Sequence, residues 1–183
     1  MRAVYEAAVG PYCYLESARK LELEGLAMTD QSDVAAKRIV VGVDGSAQSI
    51  AALRWAARIA SATGCGIDAV IAWEYPAAYG WVMAPEGWPL EDDSAATLQR
   101  TLDQAFGQHR PADLLAVCRH GSARTLLLEA SKGAEMLVVG SRGHGGFAGL
   151  LLGSVSAACA EHAHCPVLVV HRESSPNSEE SGS

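Results

Sequence analysis

The sequence predicts an α/β fold: a single-domain, open parallel sheet of five strands with helices on both faces. Two observations carry this. Five short apolar runs recur along the chain, at Arg38–Val43, Ile67–Trp73, Leu114–Val117, Met136–Val139 and Val167–Val170. Each of the first four is followed by a segment long enough for a crossover and bearing helix signals, and strands joined through helices lie parallel. The run Met136–Val139 has no apolar–polar alternation, as expected of a strand covered on both faces.

The elements follow in order. After the first run, Ser46 is placed to cap a helix whose inward positions are Ile50, Leu53, Ala57 and Ala60, with Gly64 and Gly66 as its stop. Residues 74–90, beyond the second run, form a loop rich in Pro, Gly and aromatic residues (Tyr75, Tyr79, Trp81, Trp88), long enough to be either functional or a surface pad. Asp92, Asp93 and Ser94 favour a helix start, and Ala95, Leu98, Leu102 and the pair Ala105 and Phe106 keep one face apolar. Ser122 opens a helix that runs through Leu126, Leu127 and Ala130 to Gly133. A glycine-dense loop follows Met136–Val139, and Gly153 and Ser154 open an Ala-rich helix. Pro166 ends that segment and begins the last strand.

Composition excludes several classes of function. The 183 residues carry a net charge of −7, unevenly placed: residues 37–171 hold ten Lys and Arg against twelve Asp and Glu. No basic stripe of the kind nucleic acid requires is present, so no nucleic-acid partner is expected. No apolar run reaches the roughly 18 residues of a membrane span. Five cysteines (Cys13, Cys65, Cys118, Cys159, Cys165) form no disulfide framework and read as reduced, buried thiols of a cytoplasmic protein. Residues 172–183 are rich in Ser and Glu and are expected to be a disordered acidic tail.

The order strand, glycine loop, helix N-terminus is a way to hold phosphate. Glycines let the backbone approach an anion, and the free N–H groups of the first helical turn point at it. Here the spacing is Gly140, two residues, Gly143, nine residues, Gly153, then Ser154-Val155-Ser156. This spacing resembles the ATP-binding signature of the universal stress protein family at every motif position. Together with a first strand ending Val41-Gly42-Val43-Asp44-Gly45-Ser46, the resemblance covers about residues 38–171.

The resemblance implies the strand order 3-2-1-4-5 of the adenine nucleotide alpha hydrolase-like folds. Strand order then reverses between the first and fourth strands, where ligands of open α/β sheets bind. It also implies the site. Gly42 permits close approach of the base, Asp44 accepts from ribose or adenine-side donors, and the Ala72 backbone meets adenine. Gly140, Ser141, Arg142, Gly143, His144 and Gly145 wrap the phosphates. Gly153, Ser154, Val155 and Ser156 add amides, and the two serine hydroxyls reach the terminal phosphates or a hydrated Mg²⁺. Asp44 also suits the bland role of a turn residue before Gly45, and Ser154 that of a helix cap.

Family precedent places the natural N-terminus shortly before the first strand. Met28-Thr-Asp-Gln-Ser fits such a start, so residues 1–36 are expected to be an N-terminal extension, partly disordered, of which 1–27 lie upstream of the true start. Residues 37–171 are the expected universal stress protein domain.

Rival motifs fit less well. Gly143-x-Gly145-x-x-Ala148 imitates a dinucleotide fingerprint, but the stretch about 20 residues on, His162-Ala163-His164-Cys165-Pro166, holds no carboxylate. A P-loop needs Gly-Lys before Ser or Thr, and this loop has no Lys. Gly140-Ser141-Arg142-Gly143 lacks the frame of a nucleophile elbow. Cys159, His162, His164 and Cys165 have zinc-ligand chemistry without a second pair at zinc-finger spacing.

The expected function is that of an ATP-binding stress-response regulator, with Mg²⁺ bound through the phosphates and a homodimer formed through Val167–Val170. The alternatives are a slow ATPase or nucleotide-handling enzyme of the same fold, and a protective interaction protein in which nucleotide is structural.

Overall fold

The computed structural model describes residues 37–74, 90–143 and 151–171. Its elements are β1 (Arg38–Val43), α1 (Ala47–Thr63), β2 (Gly66–Trp73), α2 (Leu90–Phe106), β3 (Leu114–His120), α3 (Ala123–Ala130), β4 (Met136–Gly140), α4 (Ser154–His162) and β5 (Val167–Val170). The strands form a parallel sheet in the order β3-β2-β1-β4-β5, as the resemblance implies. The aromatic loop, the N-terminal segment and the acidic tail lie outside the described residues.

Register decides which side chains share a face. Ile39, Val41 and Val43 stand beside Ile67, Ala69 and Ile71, and α1 and α2 cover them with Leu53, Ala56, Leu98 and Leu102. The alternate residues Val40, Val70, Leu137 and Val139 point the other way, under α3 and α4, against Leu127 and Cys159. Both faces are therefore apolar, which is why the strands read as continuous rather than alternating runs. Leu53 is fully buried in the α1 layer. Leu53→Ala is expected to cost about 2–5 kcal/mol, seen as a lower midpoint with unchanged slope in urea unfolding.

Local structure departs from the sequence expectation in four places. The buried line of α1 is Ser49, Ala52, Leu53, Ala56 and Ala60, while Ile50 and Ala57 are half-buried. Small residues face the sheet and bring the helix close; Ser49 is tolerated because its hydroxyl donates to the Ser46 carbonyl at 2.9 Å. Gly64 ends α1 with φ 72°, but Gly66 is no stop. It begins β2, and its missing Cβ makes room for the Arg38 guanidinium. β3 extends to His120, since Arg119 and His120 pair with Ala72 and Trp73 at the exposed rim, where polar side chains cost nothing. α2 starts at Leu90, with Glu91, Asp92 and Asp93 in its first turn.

Arg38 clamps the opposite end of the sheet. Its Nε donates to Asp68 Oδ1 at 3.0 Å and its Nη2 to the Ile67 carbonyl at 2.8 Å, while Nη1 lies 2.7 Å from Asp113 Oδ1. Burial alone lowers its pKa, but the hydrogen bonds and charges of Asp68 and Asp113 outweigh burial and raise it. Cys65 and Cys159 are buried, and Cys118 and Cys165 are half-buried. Burial pushes the Cys159 and Cys165 thiols up, so slow reaction with a disulfide reagent at pH 8 is expected in the folded chain, and fast reaction after unfolding.

Candidate functional site

β1 pairs with β2 on one side and β4 on the other, so the chain leaves β1 and β4 toward opposite faces. Beyond their C-terminal ends lies a cavity of about 270 Å³. Its apolar floor is Val70, Leu127 and Val139. Gly42 keeps that floor open: a Cβ there would stand 3.0 Å from Leu127 Cδ1 and 3.3 Å from Val139 Cγ1. Ala72, in line with Gly42 and Val70 on the same face, borders the cavity as a second small residue.

Asp44 occupies one lip. Its Oδ1 accepts from the Ser46 amide at 3.0 Å, an Asx turn that leads into the Ser46 cap of α1. Its Oδ2 lies against Gly143, where any Cβ would collide with it. Turn residue and cavity wall are thus one side chain in two roles. Gly45 takes φ 84° to let the chain turn there.

The other lip is the start of α4. Gly153 is the N-cap, with φ −71° and no side-chain cap bond. A Cβ there would meet Arg142 Cα at an ordinary 3.5 Å, so neither backbone freedom nor space requires glycine. What glycine does is leave the first-turn amides without a competing side chain. α1 and α3 instead begin at Ser46 and Ser122, whose side chains accept from Ser49 and Thr125. The Ser154, Val155 and Ser156 amides have no acceptor within the helix, and these residues line the cavity. The Gly153 amide donates to the Ser141 carbonyl at 2.8 Å and draws the end of the loop against β4.

The cavity brings together Gly42, Asp44, Ala72, Gly140, Arg142, Gly143, Gly153, Ser154, Val155 and Ser156. Ser141 is not among the lining residues. Its amide donates to Val170 at 2.7 Å and its side chain is buried, so it serves the sheet and has no N–H for a phosphate. Ser156 lines the cavity, but its hydroxyl donates to the Gly140 carbonyl at 2.6 Å, so that proton is unavailable to a terminal phosphate. Ser154 is the first helical residue rather than the cap, and its side chain is exposed. His144 and Gly145 lie outside the described residues.

Sequence reasoning missed Val43, Ser49, Val70, Ala123, Leu127 and Val139, which also line the cavity. A signal for Val70 and Val139 existed: both fall on the same strand face as Gly42 once the register is known. Leu127, on the helix that Ser122 opens, belongs to the core as well as to the cavity.

The residues with zinc-ligand chemistry, Cys159, His162, His164 and Cys165, are not gathered into one site. Cys159 packs in the core, His162 and His164 are exposed, and among the described residues no three His, Cys, Asp or Glu side chains are grouped to hold a metal ion.

The sequence model of the universal stress protein family matches residues 35–171. The chain belongs to this family. A universal stress protein of Mycolicibacterium smegmatis is 37% identical over 142 residues, covering 73% of this chain and 47% of the relative. The universal stress protein Rv2624c of Mycobacterium tuberculosis is 35% identical over 150 residues, covering 78% and 51%. The chain therefore spans about half the length of the curated relatives it matches. Among solved structures, a universal stress protein in complex with cAMP has a TM-score of 0.58 at 28% identity, covering 75% of this chain and 99% of that one. UspA from Lactobacillus plantarum, at 22% identity, shares the fold with a TM-score of 0.61, covering 73% of this chain and 97% of that one. Among the described residues no helix is long and apolar enough to cross a membrane.

Proposed function

We propose that this universal stress protein binds an adenine nucleotide, ATP foremost, in the cavity beyond β1 and β4, and that occupancy regulates a stress response in the cytoplasm. One observation carries the reading: an apolar floor opened by Gly42 joins, in one cavity, the three first-turn amides of α4. A flat base suits the floor, and phosphate suits the amides and helix dipole. The cAMP complex of the 28% identical relative supports an adenine ligand. Asp44 is the carboxylate among the described lining residues, which by themselves offer no cage for a cation. Mg²⁺ would be held by phosphate oxygens and water, with the exposed Ser154 hydroxyl as a protein donor. Purification without added nucleotide, followed by mass spectrometry of what the protein carries, tests the reading; an adenine nucleotide is expected, and a different class of ligand contradicts it.

The same reading includes a homodimer through β5. β5 is an edge strand, and an apolar edge invites pairing. Pro166 and Val170 direct their carbonyls to β4, so by the alternation of a strand the Val169 peptide N–H points outward. Val169→Pro removes that outward donor without cutting the β4–β5 ladder. Light scattering is expected to give a dimer for the wild-type chain and a monomer for Val169→Pro. A wild-type monomer at micromolar concentration contradicts the pairing.

A further inference from the structure

We propose that Ser156 is a positioning residue for the phosphate half of the site. Its hydroxyl holds and masks the Gly140 carbonyl, so that an anion there meets N–H groups rather than a bare carbonyl oxygen. The proposal rests on the nucleotide reading above and deepens it. It gives this hydroxyl a role other than the phosphate or Mg²⁺ contact that the sequence resemblance implies. Gly140 ends β4 and lines the cavity. The pairing of β1 with β4 runs from Ile39 and Met136 to Val41 and Val138, so Gly140 stands past that register. A carbonyl oxygen at such an edge is partly negative and repels a phosphate while its lone pairs are bare.

Ser156 belongs to the first turn of α4, lines the cavity and is 5% exposed. Its hydroxyl donates to the Gly140 carbonyl at 2.6 Å, across 16 residues of chain. That bond closes a frame around the start of the glycine loop. The Ser141 amide donates to the Val170 carbonyl at 2.7 Å, and the Gly153 amide donates to the Ser141 carbonyl at 2.8 Å. On the α1 side Gly140 is pressed close: a Cβ there would stand 2.7 Å from Gln48 Cβ and 3.1 Å from the Gln48 carbonyl carbon. Gly140 and Ser141 are thus held from β5, from α1 and twice from the start of α4. The ties at Val170 and Gly153 are backbone bonds that a side-chain substitution leaves in place, whereas Ser156→Ala deletes the tie to Gly140. The carbonyl then loses this donor beside the anion, and the loop loses one of its fixings to the amides it faces.

Calorimetry on the full chain with ATP and ADP, with adenosine measured by its displacement of ATP, tests this. Ser156→Ala is expected to bind ATP and ADP each about tenfold more weakly than the wild-type chain, with a smaller loss for adenosine. Ser156→Thr, which keeps the hydroxyl, should recover most of the loss. Ser156→Cys keeps the shape with a weaker donor and should repeat the alanine pattern, so the test stands even where the alanine variant does not fold. Thermal melting checks the fold of each variant. A loss shared equally by adenosine makes Ser156 a support of the fold alone, and a loss confined to ATP makes its hydroxyl a contact of the terminal phosphate. Either result, or unchanged ATP affinity in both the alanine and cysteine variants, overturns the proposal while leaving nucleotide binding in place. Absence of ATP binding by the wild-type chain overturns both.

Discussion

Gly143→Val is expected to weaken adenine-nucleotide binding by about a hundredfold or more, about 2.7 kcal/mol. The cause is local and steric. A Cβ at Gly143 would collide with Asp44 Oδ2, so even the first carbon forces the loop away from the β1 lip or displaces the carboxylate that borders the cavity. The Asx turn from Asp44 to the Ser46 amide is then strained as well. The branched valine adds bulk at the phosphate side, where approach of the backbone to the ligand is required. The substituted residue lies in an exposed loop, so the fold is expected to persist. Calorimetry measures the loss and circular dichroism checks the fold. Tight binding that survives the substitution removes the phosphate-loop assignment.

Turnover of bound ATP is expected to fall far below the roughly 1–10³ s⁻¹ of ordinary enzymes. A phosphate held by first-turn amides is stabilised without a positioned water, whereas hydrolysis also needs the nucleophile aligned and the transition-state charge met. Among the described lining residues the carboxylate is Asp44, and it already accepts from the Ser46 amide. The Ser156 proton is committed to the Gly140 carbonyl. Arg142 can offset charge but supplies no base. Phosphate release measured beside calorimetry decides between regulator and enzyme: slow or undetectable release is expected, and release within the ordinary range moves the chain into the second class.

Much of this was legible in the sequence because the strands are buried on both faces. Val40 and Val41, Leu137 and Val138 are apolar in succession, and a succession of that kind names a covered parallel strand without any register. The glycine spacing and the first strand's ending at Asp44 each named residues that line the cavity. Other details depend on partners distant in sequence. Gly66 looks like a helix stop until Arg38, 28 residues earlier, is seen to need its missing Cβ. Ser141 looks like a loop donor until its amide is found on Val170, across the β4–β5 pair. Asp44 looks like either a turn residue or a ligand residue, and three-dimensional placement makes it both a turn acceptor and a cavity wall. Local propensity carries none of these contacts, since each is set by which strands become neighbours.

The account turns on the cavity between Gly42 and the start of α4. Its most direct test is calorimetric titration of the full chain with ATP and Mg²⁺, alongside Gly42→Val, whose side chain would press on Leu127 and Val139 and enter the floor. One nucleotide per chain is expected, with a dissociation constant in the micromolar range (about −8 kcal/mol), and Gly42→Val should abolish it. No binding by the wild-type chain up to about millimolar ATP (about −4 kcal/mol), or full affinity in Gly42→Val, would contradict the account.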